Sequence, residues 1–161
     1  MMNTRLDADI KALGAQCISR GIQCAVAESC TGGLLGAHIT RLPGASRWFA
    51  GGVIAYDNHV KMRLLGVEPN LLHTHGAVSE QVARRMAQGV CTLLHVHAAL
   101  SITGIAGPDG GSPEKPVGLT WIGCALRGDT QAWSFQFQGS REQVRQAACA
   151  EALRCLLAQF P

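Results

Sequence analysis

Apolar residues recur every three or four positions in several stretches of the chain, and short, nearly continuous apolar runs separate these stretches. The three- and four-residue spacing predicts helices over residues 6–20, 34–41, 60–65, 68–75, 79–95 and 140–157. The apolar runs predict strands over residues 22–27, 48–56, 98–102, 117–126 and 131–138. Glycine, proline and polar residues stand between most of these segments and mark the connections.

The order of these elements predicts the fold class. Strands and helices alternate in the first part of the chain, which is typical of parallel pairing, whereas the last two strands are joined by 127–130 (RGDT), a hairpin signal. We therefore expect a three-layer α/β/α fold with a mixed, mainly parallel sheet and a late antiparallel hairpin. A length of 161 residues suits one domain that spans 1–161.

Composition and charge narrow the range of functions. The chain has 14 lysine and arginine residues against 11 acidic ones, a net charge of +3 that is spread along the sequence and predicts neither nucleic-acid nor membrane binding. Seven cysteines without a CxxC pair indicate reduced thiols, and no leader pattern or membrane-length apolar run is present, so we expect a cytoplasmic protein. Apolar helical faces favour a homo-oligomer.

The segment 27–33 (AESCTGG) lies where the first predicted strand passes into a helix. Ser29 is a candidate nucleophile there, because the unpaired N–H groups at the start of a helix favour a negatively charged oxygen. Those groups would belong to Cys30, Thr31, Gly32 and Gly33. A serine at this position can also act only as a helix cap. Cys30 is a rival nucleophile, since a helix N-terminus lowers the pKa of a thiol.

A serine nucleophile requires a base, and Lys61 is the candidate. It belongs to a short predicted helix with apolar neighbours, and partial burial would lower its pKa from about 10.4 toward neutrality. Tyr56, the only tyrosine, ends the preceding strand and can donate a hydrogen bond to a reacting group. The alternatives are a solvated surface lysine and a tyrosine that anchors a strand edge.

The loop 103–111 (TGIAGPDGG) is a second candidate ligand site, because its glycines let backbone N–H groups approach a ligand. It lacks the G-K-S/T of a P-loop and the G-x-G-x-x-G spacing, so no mononucleotide fold is implied, and it can also be a surface connection. The pairs His73-x-His75 and His95-x-His97 have no accompanying carboxylates. We therefore expect no metal site.

Four sequence blocks together resemble the C-terminal domain of the CinA family. They are AESCTGG (27–33), GGVIAYDNHVK (51–61), GAVSEQVARRMAQG (76–89) and TGIAGPDGGSPEKPVG (103–118), and the similarity runs from about residue 6 to 157. The chain resembles the stand-alone type called PncC, without the N-terminal nucleotide-pyrophosphatase domain of longer members. This resemblance implies a nicotinamide-nucleotide amidase that converts nicotinamide mononucleotide to nicotinate mononucleotide and ammonia, without a cofactor, in the recycling of NAD.

The resemblance also implies roles for individual residues. It pairs Ser29 with Lys61 and places Tyr56 close by, and the backbone around Cys30, Thr31, Gly32 and Gly33 would stabilise the oxyanion. The candidates for holding the rest of the substrate, including its phosphate, are Thr103, Gly104, Ala106, Gly107, Lys115, Arg141 and Arg145. Two alternatives stay open, a non-catalytic nucleotide-binding or competence-associated module and a thiol hydrolase that uses Cys30.

Overall fold

The computed structural model describes residues 4–161 and contains every helix and strand that the sequence predicts. Residues 1–3 lie outside the described residues. They are the start of the predicted domain and of the N-terminal stretch in which the sequence shows no leader pattern. The helices are α1 (Thr4–Ser19), α2 (Leu34–Thr40), α3 (Asn58–Leu65), α4 (Pro69–His75), α5 (Glu80–Leu94) and α6 (Arg141–Leu157). The strands are β1 (Cys24–Glu28), β2 (Phe49–Ile54), β3 (Ala98–Gly104), β4 (Leu119–Leu126) and β5 (Asp129–Gln136).

The five strands form one sheet in the order β2-β1-β3-β4-β5. β1 pairs in parallel with both β2 and β3, whereas β4 pairs antiparallel with β3 and with β5. Only β4 therefore runs against the other strands of this sheet. This arrangement confirms the predicted mixed, mainly parallel sheet with an antiparallel hairpin at its end.

Helices cover both faces of the sheet, which confirms the three-layer prediction. On one face α1, α2 and α6 enclose a core that includes Leu13, Val26 and Leu153. On the other face α3, α4 and α5 enclose a core that includes Ala25, Leu65 and Met86. Successive residues of β1 belong to opposite cores because strand side chains alternate between faces. None of the helices in residues 4–161 is both long and apolar enough to cross a bilayer.

The hairpin connection is shorter than the sequence predicts. Arg127 and Gly128 form a two-residue turn with φ values of 50° and 95°, and Asp129 already pairs with Leu126. A two-residue turn of this kind needs left-handed backbone at both positions, which glycine adopts easily. β5 therefore spans 129–136 rather than 131–138, because its polar residues alternate outward on an edge strand instead of forming the loop.

Close packing fixes α3 on α5. A Cβ atom added at Gly89 of α5 would lie 2.0 Å from the carbonyl oxygen of Leu65 at the end of α3. Only glycine permits this approach of two helix backbones. The contact matters for the site because α3 carries Lys61.

Candidate active site

Ser29 is the first residue after β1, at the carboxyl end of the parallel strands. Its N–H donates to the carbonyl of Ile102 on β3 at 2.9 Å, and its own carbonyl accepts from the N–H of Gly32 at 3.0 Å. These two bonds fix the backbone of Ser29 between the sheet edge and the turn that leads to α2. The residue is largely buried, with 8% of its surface exposed.

Lys61 reaches Ser29 from α3. The side chain of Asp57 caps this helix by accepting from the N–H of His59 at 2.7 Å. The Nζ atom of Lys61 lies 3.1 Å from Ser29 Oγ, 2.8 Å from the carbonyl oxygen of Ala55 and 3.1 Å from that of Tyr56. The residue is 1% exposed, so the lysine is not a solvated surface charge.

The surroundings of Lys61 favour its neutral form. Burial lowers the pKa of the amine from 10.5, and the nearby groups Asp57 and Cys30 oppose this effect. A neutral amine has two N–H donors and one lone pair. With the two donors directed to the carbonyls of Ala55 and Tyr56, the lone pair remains to accept the O–H of Ser29. This is the geometry that a general base for Ser29 requires.

A cavity of about 270 Å³ opens over the two residues and brings most of the predicted site together. The predicted residues that line it are Ser29, Cys30, Tyr56, Lys61, Thr103, Gly104, Ala106, Gly107 and Arg141. The lining residues that were not named individually as candidates are Asn58, Ala77 and Val78, together with Ile105, Asp109 and Gly110 of the predicted ligand loop 103–111. All six lie inside the sequence blocks that carry the family resemblance, and this is the signal that could have identified them.

Arg141 brings the opposite helical layer to the cavity. It is the first residue of α6, directly after the cap Ser140. Its Nη1 donates to the carbonyl of Gly107 at 2.8 Å and its Nη2 donates to the hydroxyl of Tyr56 at 3.1 Å. The guanidinium therefore connects the glycine-rich loop with the segment that precedes Lys61.

The start of α2 is occupied by a carboxylate of the protein itself. Glu28, which is 1% exposed, accepts from the N–H groups of Gly33, Leu35 and Gly36 at 3.1, 3.0 and 2.9 Å. Glu28 was not among the residues predicted for the site. Gly32 and Gly33 do not line the cavity, and their N–H groups donate to the carbonyl of Ser29 and the carboxylate of Glu28.

Two N–H groups of the turn remain available to a reacting oxygen. Within residues 4–161, the N–H groups of Cys30 and Thr31 donate to no other residue. They directly follow Ser29, where an oxyanion formed by attack of its Oγ would need donors. The expected oxyanion donors are thus reduced from four residues to these two, of which Cys30 lines the cavity.

Three other residues predicted to contact the substrate do not line the cavity: Thr31, Arg145 and Lys115. The Thr31 side chain is fully buried, and its hydroxyl has no partner among the described residues. Arg145 donates to the Thr31 carbonyl at 2.9 Å and pairs with Glu142 at 2.7 Å. Lys115 donates to the carbonyl of His75. Of the three basic candidates for a phosphate, Arg141 is the one that lines the cavity.

The environment of Cys30 differs from the one that the sequence suggested. The residue is 6% exposed and belongs to the core between the sheet and α6. Burial raises the pKa of its thiol, and the Glu28 carboxylate acts in the same direction, whereas the residue's own backbone N–H, Arg141 and Arg145 oppose them; the resulting pKa is about 11. The expectation of a lowered pKa is wrong, because burial outweighs the lowering effect of the residue's own backbone N–H.

Comparison with known proteins gives one consistent family. The family model of the CinA C-terminal domain matches residues 7–160. A CinA-like protein of Gemmatimonas aurantiaca is 49% identical over 155 residues, which cover 96% of this chain and 36% of that protein. A CinA-like protein of Syntrophobacter fumaroxidans is 47% identical over 146 residues, which cover 91% and 34%. The chain therefore spans about a third of the length of these curated relatives.

Solved structures show the same fold. The crystal structure of the competence damage-inducible protein A from Klebsiella pneumoniae matches with a TM-score of 0.92 at 30% identity, covering 96% of both chains. That of the competence/damage inducible protein CihA from Agrobacterium tumefaciens matches with a TM-score of 0.86 at 38% identity, covering 93% of this chain and 94% of that one.

Proposed function

The chain belongs to the CinA C-terminal domain family, and we propose that it is a serine amidohydrolase that converts nicotinamide mononucleotide to nicotinate mononucleotide and ammonia. The observation that carries the proposal is the buried Lys61, whose Nζ lies 3.1 Å from the Oγ of Ser29. The choice of substrate follows from the resemblance of the four sequence blocks to stand-alone family members. The proposed mechanism needs no metal or cofactor.

The first step forms a tetrahedral intermediate on Ser29, which becomes the acyl-enzyme when ammonia leaves. Neutral Lys61 takes the proton of Ser29 as the Oγ atom attacks the carboxamide carbon, and the C=O electron pair moves to the oxygen. The N–H groups of Cys30 and Thr31 stabilise the resulting oxyanion. The substrate's cationic pyridinium ring withdraws electrons from the carboxamide, which makes this carbon easier to attack.

The second step releases ammonia. The protonated Lys61 gives its proton to the amide nitrogen while the oxyanion reforms the C=O bond and the C–N bond breaks. The carbonyls of Ala55 and Tyr56 accept from the lysine both before and after this transfer, so the amine keeps its position. Water then attacks the ester, Lys61 accepts a proton from that water, and Ser29 leaves with a proton as nicotinate mononucleotide forms.

The remaining cavity residues position the substrate. Arg141 supplies the positive charge for the phosphate, since a guanidinium can bind phosphate oxygens through two parallel hydrogen bonds. The hydroxyl of Tyr56 accepts from Arg141 and orients it. Thr103, Gly104, Ala106 and Gly107 form the wall beside Ser29.

The test is ammonia release from nicotinamide mononucleotide by the purified protein. We expect turnover that a chelator does not change and that Ser29→Ala lowers by a factor on the order of a thousand or more. Ser134→Ala, at an exposed position of β5, is the matched serine control and keeps the wild-type rate. Robust activity in Ser29→Ala would refute Ser29 as the nucleophile. Nucleotide binding without turnover by the wild type would favour the non-catalytic module instead.

A further inference from the structure

Besides Lys61, the cavity over Ser29 is lined by one acidic and one basic residue, Asp109 and Arg141, and neither forms an ion pair with any described residue. Arg141 donates to two neutral oxygens, those of Gly107 and Tyr56. Asp109 lines the same cavity, is exposed, and its carboxylate has no hydrogen bond or ion pair with any of residues 4–161. A ligand that complements both groups carries charges of both signs.

The other carboxylates near the site are already engaged. Glu28 accepts three backbone N–H groups, and Asp57 caps α3. Glu142, next to Arg141 in α6, pairs with Arg145. Asp109 is therefore the carboxylate that remains available to a bound molecule in the described part of the cavity.

The loop around Asp109 is held in place on both sides. Arg141 binds the carbonyl of Gly107, and the N–H of Ser112 donates to the carbonyl of Lys115 at 2.8 Å. Cβ atoms added at Gly107 and Gly111 would lie 2.4 and 3.0 Å from side-chain atoms of Val117, so the loop packs tightly against that residue. The backbone on both sides of Asp109 is thus held in place, while its side chain is exposed at the cavity.

We propose that Asp109 selects substrates whose aromatic ring carries a permanent positive charge, while Arg141 holds the anionic end. This inference rests on the proposed amidase function and adds to it the residue that recognises the charged ring of an N-substituted pyridinium carboxamide. The ring keeps its positive charge in the ground state and during attack on the carboxamide. Asp109 therefore acts on binding, and its removal changes KM rather than kcat.

The size of the effect follows from the exposure of Asp109. A carboxylate at the rim of an open cavity interacts with a ring cation through a dielectric between those of protein and water. We expect roughly a three- to tenfold preference for the cationic ring over a neutral one.

The experiment measures binding to Ser29→Ala protein, in which the ligand stays unconverted. Calorimetric titration compares nicotinamide mononucleotide with its dihydro form, which has the same carboxamide, ribose and phosphate but a neutral ring. We expect the cationic form to bind more tightly. In the same background, Asp109→Asn weakens binding of the cationic form alone and so brings the two dissociation constants together. Raising the salt concentration reduces the preference of the Asp109 protein.

Glu114→Gln is the matched control. Glu114 is an exposed carboxylate in the same glycine- and proline-rich segment, makes no ion pair among the described residues, and does not line the cavity. This variant keeps the preference. An unchanged preference in Asp109→Asn overturns the proposal, as does equal weakening of both forms, which would mean that Asp109 contacts a part that they share. Failure of both forms to bind also overturns it.

The result is independent of turnover. If the wild type releases no ammonia but Ser29→Ala protein shows the Asp109-dependent preference, the amidase proposal fails and the charge selection stands. If the wild type releases ammonia and the preference is absent, the charge selection fails and the amidase proposal stands.

Discussion

The Nζ atom of Lys61 and the Oγ atom of Ser29 lie 3.1 Å apart, although 32 residues separate them in the sequence. The serine is fixed by the ends of β1 and β3, whereas the lysine is fixed by α3, which packs on α5 through Gly89. The proposed nucleophile and base therefore meet only when the sheet and this helical layer are both folded.

The pH dependence of ammonia release should report the titration of Lys61. Because burial lowers its pKa from 10.5, kcat/KM rises with pH as the neutral amine forms, with a midpoint below 10.5. Asp57→Asn keeps the cap on α3 and removes a charge that favours the ammonium, so its midpoint moves to lower pH. The measurement is the pH profile of kcat/KM for the wild type and for Asp57→Asn. Asp129→Asn, at the distant hairpin, leaves the midpoint in place, and an identical midpoint in Asp57→Asn would contradict this assignment.

Lys61 should also affect stability in a pH-dependent way. Its pKa is lower in the folded protein than in the unfolded chain, so between the two pKa values the unfolded chain binds more protons and wild-type stability rises with pH. Lys61→Met removes this dependence. The free energy of unfolding of the variant minus that of the wild type therefore falls as the pH increases from 7 to 10.5. Urea denaturation at several pH values measures the difference, and a constant difference would show that Lys61 titrates alike in both states.

Glu28→Gln should destabilise the fold. The glutamine keeps one acceptor oxygen, but its NH₂ group would face backbone N–H groups that now donate to a carboxylate. Loss of charged acceptors in a buried position costs about 2–4 kcal/mol. Urea denaturation gives the value, and Glu114→Gln, an exposed change, stays within roughly 0.5 kcal/mol of the wild type. A cost as small as that of the control would mean that the cap contributes little.

Cys30 should be dispensable for catalysis. Its thiol is buried and has a pKa of about 11, so little thiolate forms at neutral pH. Cys30→Ala keeps most of the ammonia release and loses about 1 kcal/mol of stability through the smaller side chain. Steady-state kinetics and urea denaturation measure both. Abolished turnover in a folded Cys30→Ala protein would return the thiol hydrolase to consideration.

Local signals explain why the sequence predicted the elements well. Ser79 accepts from the N–H of Val82 at 3.4 Å, and Ser140 forms a capping box with Gln143, both within one helical turn. Side-chain spacing then fixed the buried faces of α5 and α6. The connection at 127–130 was harder, because Asp129 and Thr130 suit a loop and an edge strand equally well.

The parts of the site that escaped prediction depend on contacts between distant segments. The sequence shows Glu28 as the end of a strand, and only the folded turn brings its carboxylate to the N–H groups of Gly33, Leu35 and Gly36. The side chain of Lys115 is directed to His75, 40 residues away. The sequence shows both Lys115 and Arg141 as basic residues that could serve the glycine-rich loop. Only the packing of α6 shows that Arg141 is the one that lines the cavity.

The carbonyl and the hydroxyl of Tyr56 contact different residues. Its carbonyl accepts from the amine of Lys61, and its hydroxyl, on a ring that is more than half exposed, accepts from Arg141. A substitution at position 56 would change the second contact and leave the first, because every residue type carries the same carbonyl. Under the proposed mechanism, substrate preference can therefore evolve at this position while the contact that holds the proposed base is inherited intact.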